Sequence, residues 1–253
     1  MPADTELRTP TIGFVYPDHA AEDDYPRAAD LLGADLRVAH IYGTDLHAIP
    51  ELLDLGSPEK LRHGAELLAP HHLSAIVWAC TSGSFVYGPE GARDQVRGLA
   101  DAAGVPASST SFAFTAAARS LGVSTVAVCA SYPAEVAGLF VDFLAAEGIR
   151  VVSMSSAGID TAAEVGTLTD DQVLELALAN DHPEADALLI PDTAMHTVSV
   201  LPRLESALGK PVLTANQVTV WEGIRLAGYP AGDEPISAAL GKLFSERPLR
   251  VGR

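Results

Sequence analysis

The chain of 253 residues holds two cysteines, Cys80 and Cys129. Two thiols cannot staple a protein of this length, and a metal site built on them would need histidine or carboxylate help. The expectation is a cytoplasmic protein with reduced thiols. Basic residues are also scarce, 16 against 33 acidic, for a net charge of −17. That balance argues against nucleic acid as a partner, since phosphate neutralisation needs clustered Lys and Arg. It argues equally against an anionic membrane surface. No apolar run approaches the ~18 residues of a spanning helix. The opening MPADTELRTP lacks the charged start and apolar run of a leader, so none is expected. Neither a glycine fingerprint after a strand, nor a Walker loop, nor an HExxH pair is present. Glu22-Asp23-Asp24 reads as an acidic loop without known cation-site spacing. No nucleotide, metal or other cofactor is therefore expected.

What is present is enough to build a core: 48% of the residues are hydrophobic, with only 6% aromatic. Short β-branched runs alternate with longer Ala/Leu-rich stretches. Strands are predicted at 11–16, 36–42, 75–79, 107–110, 125–130, 150–153, 187–190 and 212–214. Helices are predicted at 58–68, 91–103, 112–121, 134–146, 170–178 and 197–208. Continuous apolar strands separated by helices indicate a parallel sheet covered on both faces.

The chain also repeats itself. TIGFVYP at 11 parallels TVAVCASYP at 125, LRVAHIYG at 36 parallels IRVVSMSSAG at 149, and AIVWACTSG at 75 parallels ALLIPDTAM at 187. GVPASSTSFAFTAAARSLG at 104 parallels GKPVLTANQVTVWEGIRLAG at 209. Each unit is about half the chain, which suggests two domains rather than a solenoid. The fold expected is α/β, two similar Rossmann-like (flavodoxin-like) parallel-sheet domains related by a pseudo-twofold axis. One half would comprise 1–121 and 217–253, the other 122–216. Ligands of open α/β sheets bind beyond the carboxyl ends of the strands. The loops after Tyr16, Ala79, Ala130 and Ile190 should then line one cleft between the halves.

At the end of an apolar strand stands Trp78-Ala79-Cys80-Thr81-Ser82-Gly83-Ser84. Such a loop, entering a helix, offers backbone N–H groups and hydroxyls to a carboxylate. The same donors would lower the pKa of Cys80. Cys80 could equally be a small buried hydrophobe. The repeat places Asp192 at the counterpart of Cys80, and a threonine follows in each half, Thr81 and Thr193. Asp192 can move a proton across the cleft or cap the helix near Thr197 or an adjacent turn. The first-strand loops match as Tyr16-Pro17-Asp18 and Ser131-Tyr132-Pro133. Their tyrosines can donate to a carboxylate or merely pack. Cys129, inside the run VAVCA, reads as core. The histidines show no paired spacing; His196, four residues after Asp192, is the one that could face the cleft.

These residues resemble the aspartate/glutamate racemase superfamily. CTSGSFVYG, the SYPAEV loop and PVLTANQVTVWEGIRLAG are most similar to its maleate cis–trans isomerase and arylmalonate decarboxylase branch. The resemblance implies cofactor-independent chemistry on the carbon next to a carboxylate. Racemases and isomerases of the superfamily carry two cysteines, one from each half; the decarboxylases keep the second and have glycine at the first. This chain has the reverse, Cys80 first and Asp192 second. Thr81, Ser82 and Tyr132 match positions that cradle a carboxylate, with Thr193, Tyr16 and Pro17 completing the expected binding set. The asparagine of the isomerases is missing from Pro17-Asp18-His19-Ala20. The function implied is isomerisation of a maleate-like unsaturated diacid through a Cys80 thiolate adduct. The alternatives are decarboxylation of a substituted malonate and non-catalytic binding of a small carboxylate. A small carboxylate is thus the expected partner, and the sequence leaves a homo-oligomer open.

Overall fold

The computed structural model describes residues 9–229 and 239–245. Its frame is two four-stranded parallel sheets. The first contains β1 (Thr11–Pro17), β2 (Asp35–Ile41), β3 (Ala75–Trp78) and β4 (Ala107–Ser109) in the order β2-β1-β3-β4. The second contains β5 (Thr125–Ala130), β6 (Arg150–Ser156), β7 (Ala187–Ile190) and β8 (Val212–Thr214) in the order β6-β5-β7-β8. The two orders are the same, and the interior strands β3 and β7 are buried along their whole length. AIVW and ALLI carry no polar residue because helices cover both faces of each sheet.

Along the chain the helices are α1 (Asp24–Leu32), α2 (Ile49–Leu55), α3 (Pro58–Leu68), α4 (Ser82–Phe85), α5 (Gly88–Ala103) and α6 (Thr110–Ser120). They continue with α7 (Ala134–Ala146), α8 (Ala162–Val165), α9 (Asp170–Ala179), α10 (Leu201–Leu208) and α11 (Ala215–Leu226). Local chemistry sets their ends. Gly104 and Gly209 stop α5 and α10 at φ +68°, a left-handed turn that sends the chain into β4 and β8. Ser109 and Thr214 then cap α6 and α11 through their side chains. Five helices, α1, α2, α4, α8 and α11, fall outside the ranges predicted for helices, and α10 begins at Leu201 rather than 197. In α1 the acidic start is not a loop: Asp24 is buried.

α6 and α11 pack on one another, and α11 lies against β3 and β4 of the first sheet. The largest hydrophobic cluster runs through both halves, joining Phe14, Val77 and Phe114 to Val128, Leu189 and Leu213. Polar contacts lock the halves as well. Asp24 accepts from the N–H groups of Thr197 and Val198 and from Asn216 Nδ2, at 2.9–3.3 Å. Burial raises its carboxyl above the ordinary range, and those three donors hold the rise in check. The Tyr16 hydroxyl donates to the Thr193 carbonyl at 2.8 Å.

Candidate active site

The strand ends meet in one narrow cleft. Its lining includes Tyr16, Pro17, Cys80 and Ser82 from the first half and Asp192 and Thr193 from the second. Cys80 follows β3 by two residues and Asp192 follows β7 by two. The repeat thus places a thiol and a carboxylate at equivalent positions on one cleft. The loop after Ala130 does not reach the lining; its Ser131 and Tyr132 stand behind the wall.

Cys80 is 3% exposed. The Gly83 N–H, in the first turn of α4, donates to Sγ at 3.3 Å, and Ser82 Oγ lies 3.7 Å away. A side chain on Gly83 would put its Cβ 2.9 Å from the Trp78 ring and 3.2 Å from the sulfur, so glycine is what lets this N–H reach the thiol. The expectation of a lowered thiol pKa is corrected. Burial pushes Cys80 up to about 11, outweighing the Gly83 and Ser82 hydrogen bonds, and the nearby Asp192 charge adds to the rise. The free cleft therefore holds a thiol. Burial pushes Cys129 to the same value of about 11, but it sits in the second cluster against Leu176 and Asn180, away from the cleft.

Asp192 is buried and anchored. Oδ1 accepts from the Ala194 N–H at 2.9 Å, and Oδ2 accepts from the Ser131 hydroxyl. It caps the turn directly after itself rather than the later helix, and its carboxylate still borders the cleft. The neighbour that sequence reasoning missed is His47, which lines the cleft with Nε2 3.8 Å from Asp192 Oδ2. His47 comes from the β2–α2 loop and is gripped by the other half. Its ring Nδ1 is 3.0 Å from the Ile159 carbonyl, and its backbone N–H donates to the Asp160 carbonyl at 2.8 Å. A carbonyl can only accept, so Nδ1 carries a proton. Nε2 then faces the Asp192 carboxylate, so an imidazole nitrogen and a carboxylate stand side by side on the cleft wall.

Of the residues expected to bind a carboxylate, Tyr16, Pro17, Ser82 and Thr193 line the cleft, Thr81 and Tyr132 do not, and both tyrosine hydroxyls are engaged elsewhere. The Tyr132 hydroxyl donates to the Pro191 carbonyl at 2.5 Å, and that of Tyr16 donates to Thr193 while accepting from the Ala21 N–H. Burial pushes both phenols well above their usual range. Tyr16 borders the cleft and Tyr132 does not, and carbonyls of the second half accept from both hydroxyls. Thr81 is fully buried beside Tyr132, and its Oγ1 has no hydrogen-bond partner within geometric limits among the described residues. Ser82 borders the cleft directly. His196 turns away to pair with Asp23 at 2.9 Å.

Among the described residues, the lining contains Asp18, Asp45 and Asp192 and two imidazoles, His19 and His47, but neither lysine nor arginine. Leu46, Leu52 and Leu55 form an apolar side. Ser82 and the Cys80 thiol border this space, with His47 and Asp192 on its wall.

The family model described as arylmalonate decarboxylase matches residues 26–244. The arylmalonate decarboxylase of Bordetella bronchiseptica is 29% identical over 253 residues, covering 95% of this chain and 99% of that protein. Among solved structures, a double mutant of arylmalonate decarboxylase in its liganded form superposes with a TM-score of 0.81 at 26% identity, covering 93% of this chain and 99% of the other. That mutant exchanges one glycine for cysteine and one cysteine for serine. A maleate cis–trans isomerase of Nocardia farcinica shares the fold, with a TM-score of 0.83 at 21% identity and coverage of 93% and 98%. In that structure, a cysteine-to-serine mutant, a succinylcysteine intermediate is covalently bound.

Proposed function

The chain belongs to the arylmalonate decarboxylase family of cofactor-independent enzymes, and within it we propose that this enzyme isomerises a cis unsaturated carboxylate of the maleate type through a Cys80 adduct. The observation that carries the reading is that Cys80 and Asp192, equivalent in the two halves, share one cleft and that Cys80 is the thiol in it. The substrate carboxylate is held by Ser82, Thr81 and the backbone N–H groups at the start of α4, with Tyr132, Thr193, Tyr16 and Pro17 shaping the surrounding wall. The Nocardia isomerase, with its succinylcysteine, is the precedent for sulfur adding to such a substrate.

With the thiol near 11, thiolate is formed in the step rather than stored. The Cys80 proton passes to the Asp192–His47 pair as sulfur bonds to one alkene carbon. The π electrons move onto the neighbouring carbon and its carboxylate, where the hydrogen-bond donors stabilise them. Protonation of that carbon from the same pair gives the saturated adduct. Rotation about the new single bond, loss of the proton and expulsion of sulfur give the trans product and restore the thiol. No oxidant or reductant is consumed. The full-length likeness to arylmalonate decarboxylase favours a second reading, loss of carbon dioxide from a substituted malonate with the same pair protonating the product carbon.

Proton NMR of the enzyme with maleate-type acids and with aryl and alkyl malonates separates the two. The proposal expects a trans product that disappears in Cys80→Ser. Loss of carbon dioxide from malonates, undiminished in Cys80→Ser, would transfer the assignment to decarboxylation. Binding without turnover of any compound would leave only a carboxylate-binding protein.

A further inference from the structure

His19, Glu22 and His40 each bring one donor atom into a group spanning no more than 4.8 Å. We propose that these three residues form a binding site for a divalent transition-metal ion of the zinc type, at the rim of the cleft. The site rests on geometry and is independent of the reaction assigned above.

The three side chains are oriented by their surroundings. His40, on β2, has Nδ1 2.9 Å from the Asp18 carbonyl. That contact fixes Nδ1 as the protonated nitrogen and leaves the Nε2 lone pair as a ligand, the usual outer support of a metal-bound histidine. Asp18 is held in the left-handed region at φ +49°, and its N–H donates to the Ile41 carbonyl at 2.8 Å, clamping this loop on β2. The next residue, His19, lies over the His40 ring with centroids 4.0 Å apart. Glu22 Oε1 is 2.7 Å from His19 Nδ1, while Oε2 accepts from the Ala20 N–H at 2.9 Å. Two imidazoles and one carboxylate suit zinc and its neighbours rather than magnesium or calcium. Three protein ligands leave a coordination position open.

Zinc–ligand bonds of about 2.0–2.2 Å require donor atoms roughly 3.3 Å apart, so the group must contract. The side chain of His19 is 53% exposed and free to change rotamer. The charge of −17 over the whole chain favours cations near its surface. His19 belongs both to this group and to the cleft lining, so an ion here would add positive charge to a rim that has neither lysine nor arginine among the described residues.

The test is titration of the full chain with Zn²⁺ alone, by calorimetry and by competition with a chromophoric chelator. One saturable equivalent is expected, weakened by about tenfold or more in each of His19→Ala, His40→Ala and Glu22→Gln. His63→Ala, on the exposed face of α3, should bind as the parent does. Two-dimensional NMR of the imidazole resonances supplies a reading free of mutation, since Zn²⁺ should shift His19 and His40 and spare His63. Absence of a saturable equivalent, or binding unchanged in all three variants, or shifts spread over unrelated histidines, would overturn the site.

Discussion

His47 Nε2 stands 3.8 Å from Asp192 Oδ2, and the two residues belong to different halves of the molecule. The Ile159 carbonyl fixes the imidazole tautomer and Ser131 anchors the carboxylate, so an imidazole nitrogen and a carboxylate oxygen are held facing each other. If that pair takes the Cys80 proton, His47→Gln and Asp192→Asn should each lower turnover by about 10²–10⁴-fold. The double variant should be little worse than either single one, since groups acting as a unit are not additive. Steady-state kinetics on the substrate found by NMR checks this. Full additivity would mean that the two residues act separately.

Thr81 offers a cleaner probe of the cradle. Its hydroxyl is buried with no partner among the described residues, so Thr81→Val should leave the melting temperature unchanged or raise it slightly. Substrate affinity should nevertheless fall by about tenfold, the cost of one missing hydrogen bond. Thermal denaturation and ligand titration on the same preparation measure both. Unchanged affinity would place the carboxylate elsewhere.

Much of this was legible in the sequence. The repeat matched β3 with β7, and that match alone put Cys80 opposite Asp192. The strand runs appear at the expected places because buried parallel strands are continuous apolar segments. His47 left no such trace. Its orientation depends on carbonyls at 159 and 160, more than a hundred residues away. The tyrosine hydroxyls were unreadable for the same reason, as the acceptor of Tyr16 is on the facing half and that of Tyr132 is 59 residues along its own half. α1 and α2 are short and carry proline and acidic residues near their starts, which masked their periodicity. The thiol pKa went the other way because a motif reports donors but not the depth at which they are buried.

That depth gives a pH dependence. With the native thiol at about 11 against an ordinary 9.0, alkylation of Cys80 should keep rising with pH beyond 9 and level off only near 11. The linkage has the matching sign. A raised native pKa contributes stability that is complete below 9 and lost as pH rises through about 11. Iodoacetamide rates at Cys80, followed by peptide mass spectrometry, test this; a plateau near pH 7 would show a thiolate already formed in the free cleft.

The Tyr16–Thr193 bridge should matter for stability more than for chemistry. Tyr16→Phe removes the donor to Thr193 and the acceptor of the Ala21 N–H, leaving buried groups unpaired. A loss of about 1–3 kcal/mol is expected in denaturant unfolding, with a smaller change in turnover. Unfolding unaffected by the change would mean that the bridge contributes nothing between the halves.

The central claim is that Cys80 bonds covalently to the substrate. Its direct measurement is peptide mass spectrometry of enzyme quenched in acid during turnover, with Cys80→Ser and Cys129→Ser assayed beside it. The expected result is the mass of one intact substrate on the Cys80 peptide. Turnover should fall by roughly 10³-fold or more in Cys80→Ser and be retained in Cys129→Ser. An unmodified Cys80 peptide together with an active Cys80→Ser enzyme would contradict the account.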